Sequence, residues 1–128
     1  MENKIMIANT YIRLQVTIRY LNINSSHGTD KRSDIPELVR VHLRVEGKVQ
    51  GVYFRNNLKL TAIENKVKGW VRNLREGSVE AMLEGDRNDV EKVFKWSQVG
   101  PANAIVVSVT KTEESYKGDF SSFEIIDT

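Results

Sequence analysis

Gly47-Lys48-Val49-Gln50-Gly51-Val52-Tyr53-Phe54-Arg55 is the stretch around which the rest of the chain arranges itself. Before it, Val41-His42-Leu43-Arg44-Val45-Glu46 alternates apolar and polar side chains. That is the period of a half-buried strand, with Val41, Leu43 and Val45 facing a core and His42, Arg44 and Glu46 outward. After it, residues 56–67 read as a helix in which Leu58, Ala62 and Ile63 share a face with Val67. The stretch is therefore a strand-to-helix turn holding two glycines and an arginine. Such a turn can aim several backbone N–H groups into one concavity at the positive end of a helix dipole. Arg55 adds a planar fork of donors suited to phosphate. On these nine residues alone, an ordinary tight turn carrying a surface arginine stands ahead of the anion cradle.

Downstream, Gly69 marks the way out of the helix, and residues 70–73 (Trp-Val-Arg-Asn) read as a second strand. Arg75-Glu76-Gly77-Ser78 has turn chemistry and predicts a hairpin. Residues 78–85 alternate again, Val79, Ala81 and Leu83 against Glu80, Met82 and Glu84. Asp86 can cap a following helix whose apolar stripe is Val90, Val93, Phe94 and Ser97, and which Gly100-Pro101 ends. Residues 104–110 form a β-branched run. A shorter closing strand at 120–126 follows the Tyr116-Lys117-Gly118-Asp119 turn. The order strand, helix, strand, strand, helix, strand, with one strand more, predicts an α+β fold. It is a ferredoxin-like βαββαβ sandwich, two helices on one face of a mainly antiparallel four- to five-stranded sheet. That fold hosts many activities and decides none.

Upstream, residues 1–38 read as an N-terminal extension to a domain at 39–128. Ile12, Leu14, Val16, Ile18 and Tyr20 alternate with polar residues, which suggests a strand over 11–20. The polar, glycine-bearing segment 22–34 reads as a flexible linker. The 128 residues suffice for one modest core, and the net charge of +2 gives no electrostatic footprint for nucleic acid or anionic membrane. There is no cysteine, so disulfides, thiol nucleophiles and thiolate metal sites are excluded. No apolar run approaches the roughly 18 residues that span a bilayer. A cytoplasmic protein is expected.

With the elements in place, the residues resemble the acylphosphatase family. Its first signature, Gly-x-Val-Gln-Gly-Val-x-Phe-Arg, is matched by Gly47, Val49, Gln50, Gly51, Val52, Phe54 and Arg55. Its second is matched by Gly69, Trp70, Val71, Arg72, Asn73, Gly77, Val79 and Gly85, and the spacing from Arg55 to Asn73 also agrees. Gly100-Pro101 with Ala104, and Phe120 with Phe123, resemble the family's C-terminal half less specifically. The likeness covers residues 39–128 and none of the first 38. Ala102 replaces the usual second proline, and Asp127-Thr128 replaces a common terminal tyrosine. Both departures lie outside the signatures.

The resemblance implies hydrolysis of an acyl phosphate to a carboxylate and orthophosphate, by a monomer without metal or other cofactor. Arg55 and the backbone amides of Gln50, Gly51, Val52, Tyr53, Phe54 and Arg55 would hold the phosphoryl oxygens, and Asn73 would orient the attacking water. Inorganic phosphate would be product and inhibitor, and neither nucleic acid nor membrane is an expected partner. Lys48, Arg72 and Arg75 read first as a solvated rim, and the acidic side chains Glu80, Glu84 and Asp86 as a solvated strand edge. His27 and His42, lying apart, make a poor metal site. The alternative is a non-catalytic ferredoxin-like module binding RNA or another ligand, because Lys68-Gly69-Trp70-Val71 faintly resembles a base-stacking strand. The later aromatics of that motif are missing. A detached copy of the acylphosphatase-like domain of a hydrogenase-maturation protein is a third reading, against which stand the short chain and the lack of zinc-finger cysteines.

Overall fold

A computed structural model describes residues 35–126. The expected strand at 11–20, the linker at 22–34 and the final residues 127–128 lie outside the described residues. The elements are β1 (Leu38–Lys48), α1 (Phe54–Glu64), β2 (Lys68–Asn73), β3 (Val79–Asp86), α2 (Arg87–Ser97), β4 (Ile105–Glu114) and β5 (Phe123–Ile125). They build one five-stranded sheet in the order β4-β1-β3-β2-β5. Its pairings are antiparallel except that of β5, which runs parallel to β2. The helices touch each other and lie on one face, α1 over β2 and β5, α2 over β1 and β3. The ferredoxin-like expectation holds, with a fifth strand appended.

The period-two pattern explains which face is covered. Val41, Leu43 and Val45 from β1, Val71 from β2 and Val79, Ala81 and Leu83 from β3 are buried against Phe54, Leu58 and Ala62 of α1 and Val90, Val93 and Phe94 of α2. Burying an aliphatic or aromatic side chain of this size contributes about 1.5–3 kcal/mol each. Asp86 caps α2 as expected, its carboxylate accepting from the Asn88 N–H at 2.9 Å.

Several expectations need correction. The first helix starts at Phe54 rather than residue 56, because the Phe54 ring belongs to the core, 1% exposed, and brings the first turn inward with it. It ends at Glu64, and Ile63 is 52% exposed, so Leu58 and Ala62 carry the buried face without it. The closing strand is confined to Phe123–Ile125.

The larger correction concerns the sheet's other face. β3 is the central strand, so Glu80 and Glu84 do not sit on a solvated edge. Glu84 is 3% exposed, opposite Arg40 in the β1–β3 register. The Arg40 guanidinium donates to Glu84 at 3.0 Å and to Glu114 at 3.2 Å, and lies 5.0 Å from the Phe120 ring centre. The backbone N–H groups of Lys117 and Gly118 also donate to Glu84, at 2.9 and 3.2 Å, so the segment before β5 folds over this end of the face. Burial alone would push the Glu84 carboxyl up, but the hydrogen bonds from Lys117, Arg40 and Gly118 outweigh it and hold it below the usual range. His42 is likewise not free on an exposed face. Its Nε2 lies 2.7 Å from Glu80, which also accepts from Arg72 Nε at 2.7 Å. Arg72 is therefore engaged rather than a loose rim charge, and it stacks over the Trp70 ring at 5.3 Å.

Candidate functional site

The site lies where β1 runs out into α1. At Glu46/Gly47 the β1–β4 register shifts by a bulge, and Gly47 has φ +131°. A Cβ there would fall 2.1 Å from the Ile105 carbonyl oxygen, so only glycine lets β4 approach this closely. Beyond the bulge three side chains turn inward at uneven spacing. Val49, Val52 and Phe54 are buried, whereas Gly51 and Tyr53 are exposed. Three core anchors thus hold a loop whose backbone remains at the surface.

The backbone conformation completes the cradle. Gly51 has φ +75° and nothing lies within 4 Å of where its Cβ would be, so conformation and not space selects glycine. Tyr53, at φ 65°, is also left-handed, which is uncommon for a non-glycine residue. Two left-handed residues bracketing Val52 curl the chain in the way that gathers N–H groups into an anion-binding concavity. Tyr53 is the N-cap of α1, yet no side chain among the described residues caps the helix and its first turn holds no acidic residue. The first N–H groups of a helix have no intrahelical acceptor, and here nothing from a side chain replaces one. By contrast, α2 has both a capping aspartate and Asp89 in its first turn.

Arg55 is the second residue of this uncapped helix and is half-buried. Arg40, Arg44, Arg72 and Arg87 each pair with a carboxylate. Among the described residues no carboxylate pairs with Arg55.

Asn73 comes from a different part of the chain. It is the last residue of β2, paired with Val79 of β3 across a tight turn. The turn closes through Leu74 N–H to the Ser78 carbonyl at 2.8 Å and Gly77 N–H to the Leu74 carbonyl at 3.1 Å. Asn73 Oδ1 is buried and has no hydrogen-bond partner among the described residues. A buried polar atom left in this state costs about 1–3 kcal/mol, so the position is held by its surroundings rather than by its own bonds.

An open cavity of about 300 Å³ joins the two parts, lined by Val49, Gly51, Tyr53, Phe54, Arg55, Asn56 and Asn73. It brings together Arg55, Asn73 and the loop residues singled out in the sequence. Gln50 and Val52 do not line it. Val52 points into the core, and the Gln50 side chain turns away to donate to the Leu74 and Ser78 carbonyls at 2.7 and 2.9 Å. Val49 and Asn56 line the cavity without having been singled out as site residues. Asn56 follows Arg55 on the first turn of a helix that starts earlier than expected. No cluster of three or more His, Asp or Glu able to hold a metal occurs among the described residues.

Known proteins resemble this chain over most of its described residues. The family model described as Acylphosphatase matches residues 41–125. An acylphosphatase of Pyrobaculum aerophilum is 48% identical over 93 residues, 72% of this chain and 98% of that protein. Among solved structures, an acylphosphatase from Coxiella burnetii superposes with a TM-score of 0.67 at 36% identity, covering 70% of this chain and 93% of the other. One from Bacillus subtilis gives 0.67 at 30% identity, covering 69% and 98%.

Proposed function

The chain belongs to the acylphosphatase family, and from that premise we propose how its residues divide the work. It is an enzyme of that type, hydrolysing a small acyl phosphate to a carboxylate and orthophosphate. The phosphoryl oxygens sit in the cradle of backbone N–H groups from residues 50–55, against the Arg55 guanidinium. Asn73 orients the attacking water, its amide offering both a donor and an acceptor. The water oxygen forms the new P–O bond as the bond to the acyl oxygen breaks, and the carboxylate leaves with the electron pair. A proton from the water passes to a phosphoryl oxygen.

This scheme asks little of acid–base chemistry. A departing carboxylate has a conjugate-acid pKa near about 4, so no strong general acid is required. Phosphoryl transfer has a loose transition state in which positioning and charge stabilisation dominate. Arg55 and the helix amides supply that charge without a metal. The observation that carries the reading is the single cavity holding the uncapped start of α1, Arg55 and Asn73.

Around this chemistry we place a catalytic domain of residues 39–128, preceded by an extension at 1–38, acting as a cytoplasmic monomer without nucleic-acid or membrane partners. No helix among the described residues is long and apolar enough to cross a membrane. On the edge strand β4, Lys111, Glu113 and Glu114 discourage strand-to-strand pairing with a second copy. An RNA-binding role gains little from Trp70, whose ring already carries the Arg72 guanidinium.

The test is hydrolysis of benzoyl phosphate by the purified full chain in excess chelator. Rapid turnover, competed by orthophosphate, supports the scheme. Turnover that chelator removes overturns its metal-free form.

A further inference from the structure

The Gln50 side chain is not used by the mechanism above, which takes only its backbone. Its amide nevertheless spends both N–H bonds on two carbonyls far along the chain, Leu74 at 2.7 Å and Ser78 at 2.9 Å. Those two residues close the β2–β3 turn. Leu74 N–H donates to the Ser78 carbonyl, and the Leu74 carbonyl accepts from Gly77 N–H. Asn73 immediately precedes Leu74, and Gly51, where the cradle begins to curl, immediately follows Gln50. A single side chain therefore crosses from the phosphate cradle to the turn that sets the end of β2.

The geometry points to Gln50 as a positioning residue that fixes Asn73 relative to the cradle, so that the water and the phosphoryl group meet in line. This rests on the reading of Asn73 as the water-orienting group. Among the described residues Asn73 Oδ1 has no partner of its own. Its placement depends on the strand end and turn that carry it, and Gln50 is what ties that turn to the loop. The chemistry of the residue suits the task. A primary amide offers two coplanar donors for two carbonyls and adds no charge. A glutamate would set its oxygens against those carbonyls beside an anion site, and an apolar side chain would leave both carbonyls without that donor. Displacing a catalytic group by about 1 Å can cost on the order of 100-fold in rate.

The test is a double-mutant cycle on the full chain with benzoyl phosphate, combining Gln50→Leu with Asn73→Ala. Gln50→Leu alone is expected to lower kcat about 10- to 100-fold. Inhibition by orthophosphate should stay within about twofold, because the cradle and Arg55 remain. In the Asn73→Ala background the same change should lower kcat little further, since a group acting through Asn73 has nothing left to position. A general loss of packing would lower kcat by the same factor in both backgrounds, or would weaken orthophosphate as much as it lowers kcat, and either result overturns the proposal. Gln50→Met, which fills the same space with a linear chain, runs through the same cycle should Gln50→Leu fold poorly. A readout independent of turnover is the Asn73 side-chain amide signal in a 1H–15N spectrum. It should shift in both Gln50 variants, and an unmoved signal would refute the tie. An inactive parent chain with a shifted signal would instead place the fault with the proposed chemistry and leave the positioning role intact.

Discussion

The two faces of the central sheet treat polar groups in opposite ways. On the face away from the helices, charges are matched: Arg40 with Glu84 and Glu114, and Glu80 shared by His42 and Arg72. Where β1 passes into α1, the reverse holds. Among the described residues, the helix start has no side-chain cap, Arg55 has no carboxylate partner and the buried Asn73 Oδ1 has no hydrogen bond. Unpaired polar groups cost stability, and a chain that meets its polar needs so fully on one face leaves them open on the other where a ligand meets them instead. On the proposed scheme, the contrast separates residues that hold the molecule together from residues that await a substrate.

Mutations can break that contrast from either side. The largest effect is expected from Arg55→Gln, which removes the full charge that the proposed scheme sets against the phosphoryl group. Turnover of benzoyl phosphate should fall by about 1,000-fold or more, with orthophosphate no longer inhibiting at accessible concentrations. Asn73→Ala should lower kcat by roughly 100- to 1,000-fold while orthophosphate binds as before, because its contribution is realised in the transition state. Near-normal kcat in that variant would remove Asn73 from the mechanism. Neither substitution should lower the melting temperature much, and Asn73→Ala should raise it slightly by deleting an unsatisfied oxygen.

Changes on the matched face should do the opposite. Glu84→Ala leaves Arg40 only its more exposed partners Glu114 and Asp119 and frees the segment before β5, and should cost about 1–3 kcal/mol in chemical denaturation with kcat changed less than a few-fold. Acid should act through the same groups. Burial pushes the Glu80 and Glu84 carboxyls up, but their hydrogen bonds, from His42 and Arg72 to Glu80 and from Lys117, Arg40 and Gly118 to Glu84, hold both below the ordinary value of 4.5. The unfolded chain therefore takes up protons first as pH falls. The stabilisation is complete above about pH 4.5 and is lost on further acidification through the native values. A melting temperature that stayed level from pH 6 to pH 3 would contradict this. The smallest effect belongs to Tyr53→Asn. Asparagine tolerates the left-handed conformation better, and a gain of a few tenths of a kcal/mol is expected, read as a higher denaturation midpoint.

The sequence made one side of this contrast far more legible than the other. Alternation in residues 41–46 and 78–85 located two sheet strands, and the helical stripe of Val90, Val93, Phe94 and Ser97 is buried as expected. Arg55 and Asn73 stood out through the signatures that resemble acylphosphatase, and they line one cavity. Glu84 was misread because alternation assumes a wet outer face. Its burial comes from a segment more than 30 residues away, which no local pattern reports. The Gln50 tie was hidden for the same reason, joining residues 24 and 28 positions apart. The early start of α1 depended on the left-handed Tyr53, a conformation that side-chain type does not announce.

The parallel strand β5 has a consequence for how the enzyme comes into being. Gly69 N–H donates to the Ser122 carbonyl and Ile126 N–H to the Val71 carbonyl, so β2, which carries Asn73, gains its outer neighbour only from residues 122–126. On the far side, β1 pairs with β4 across separations as large as the 74 residues between Arg40 and Glu114. Contacts this distant in sequence must close large loops before they return any energy, which slows folding relative to a helical bundle of the same length. During synthesis the cradle at residues 47–55 emerges early, but the strand that presents Asn73 to it stays one-sided until β5 has left the ribosome. Catalytic competence should therefore arrive late and all at once.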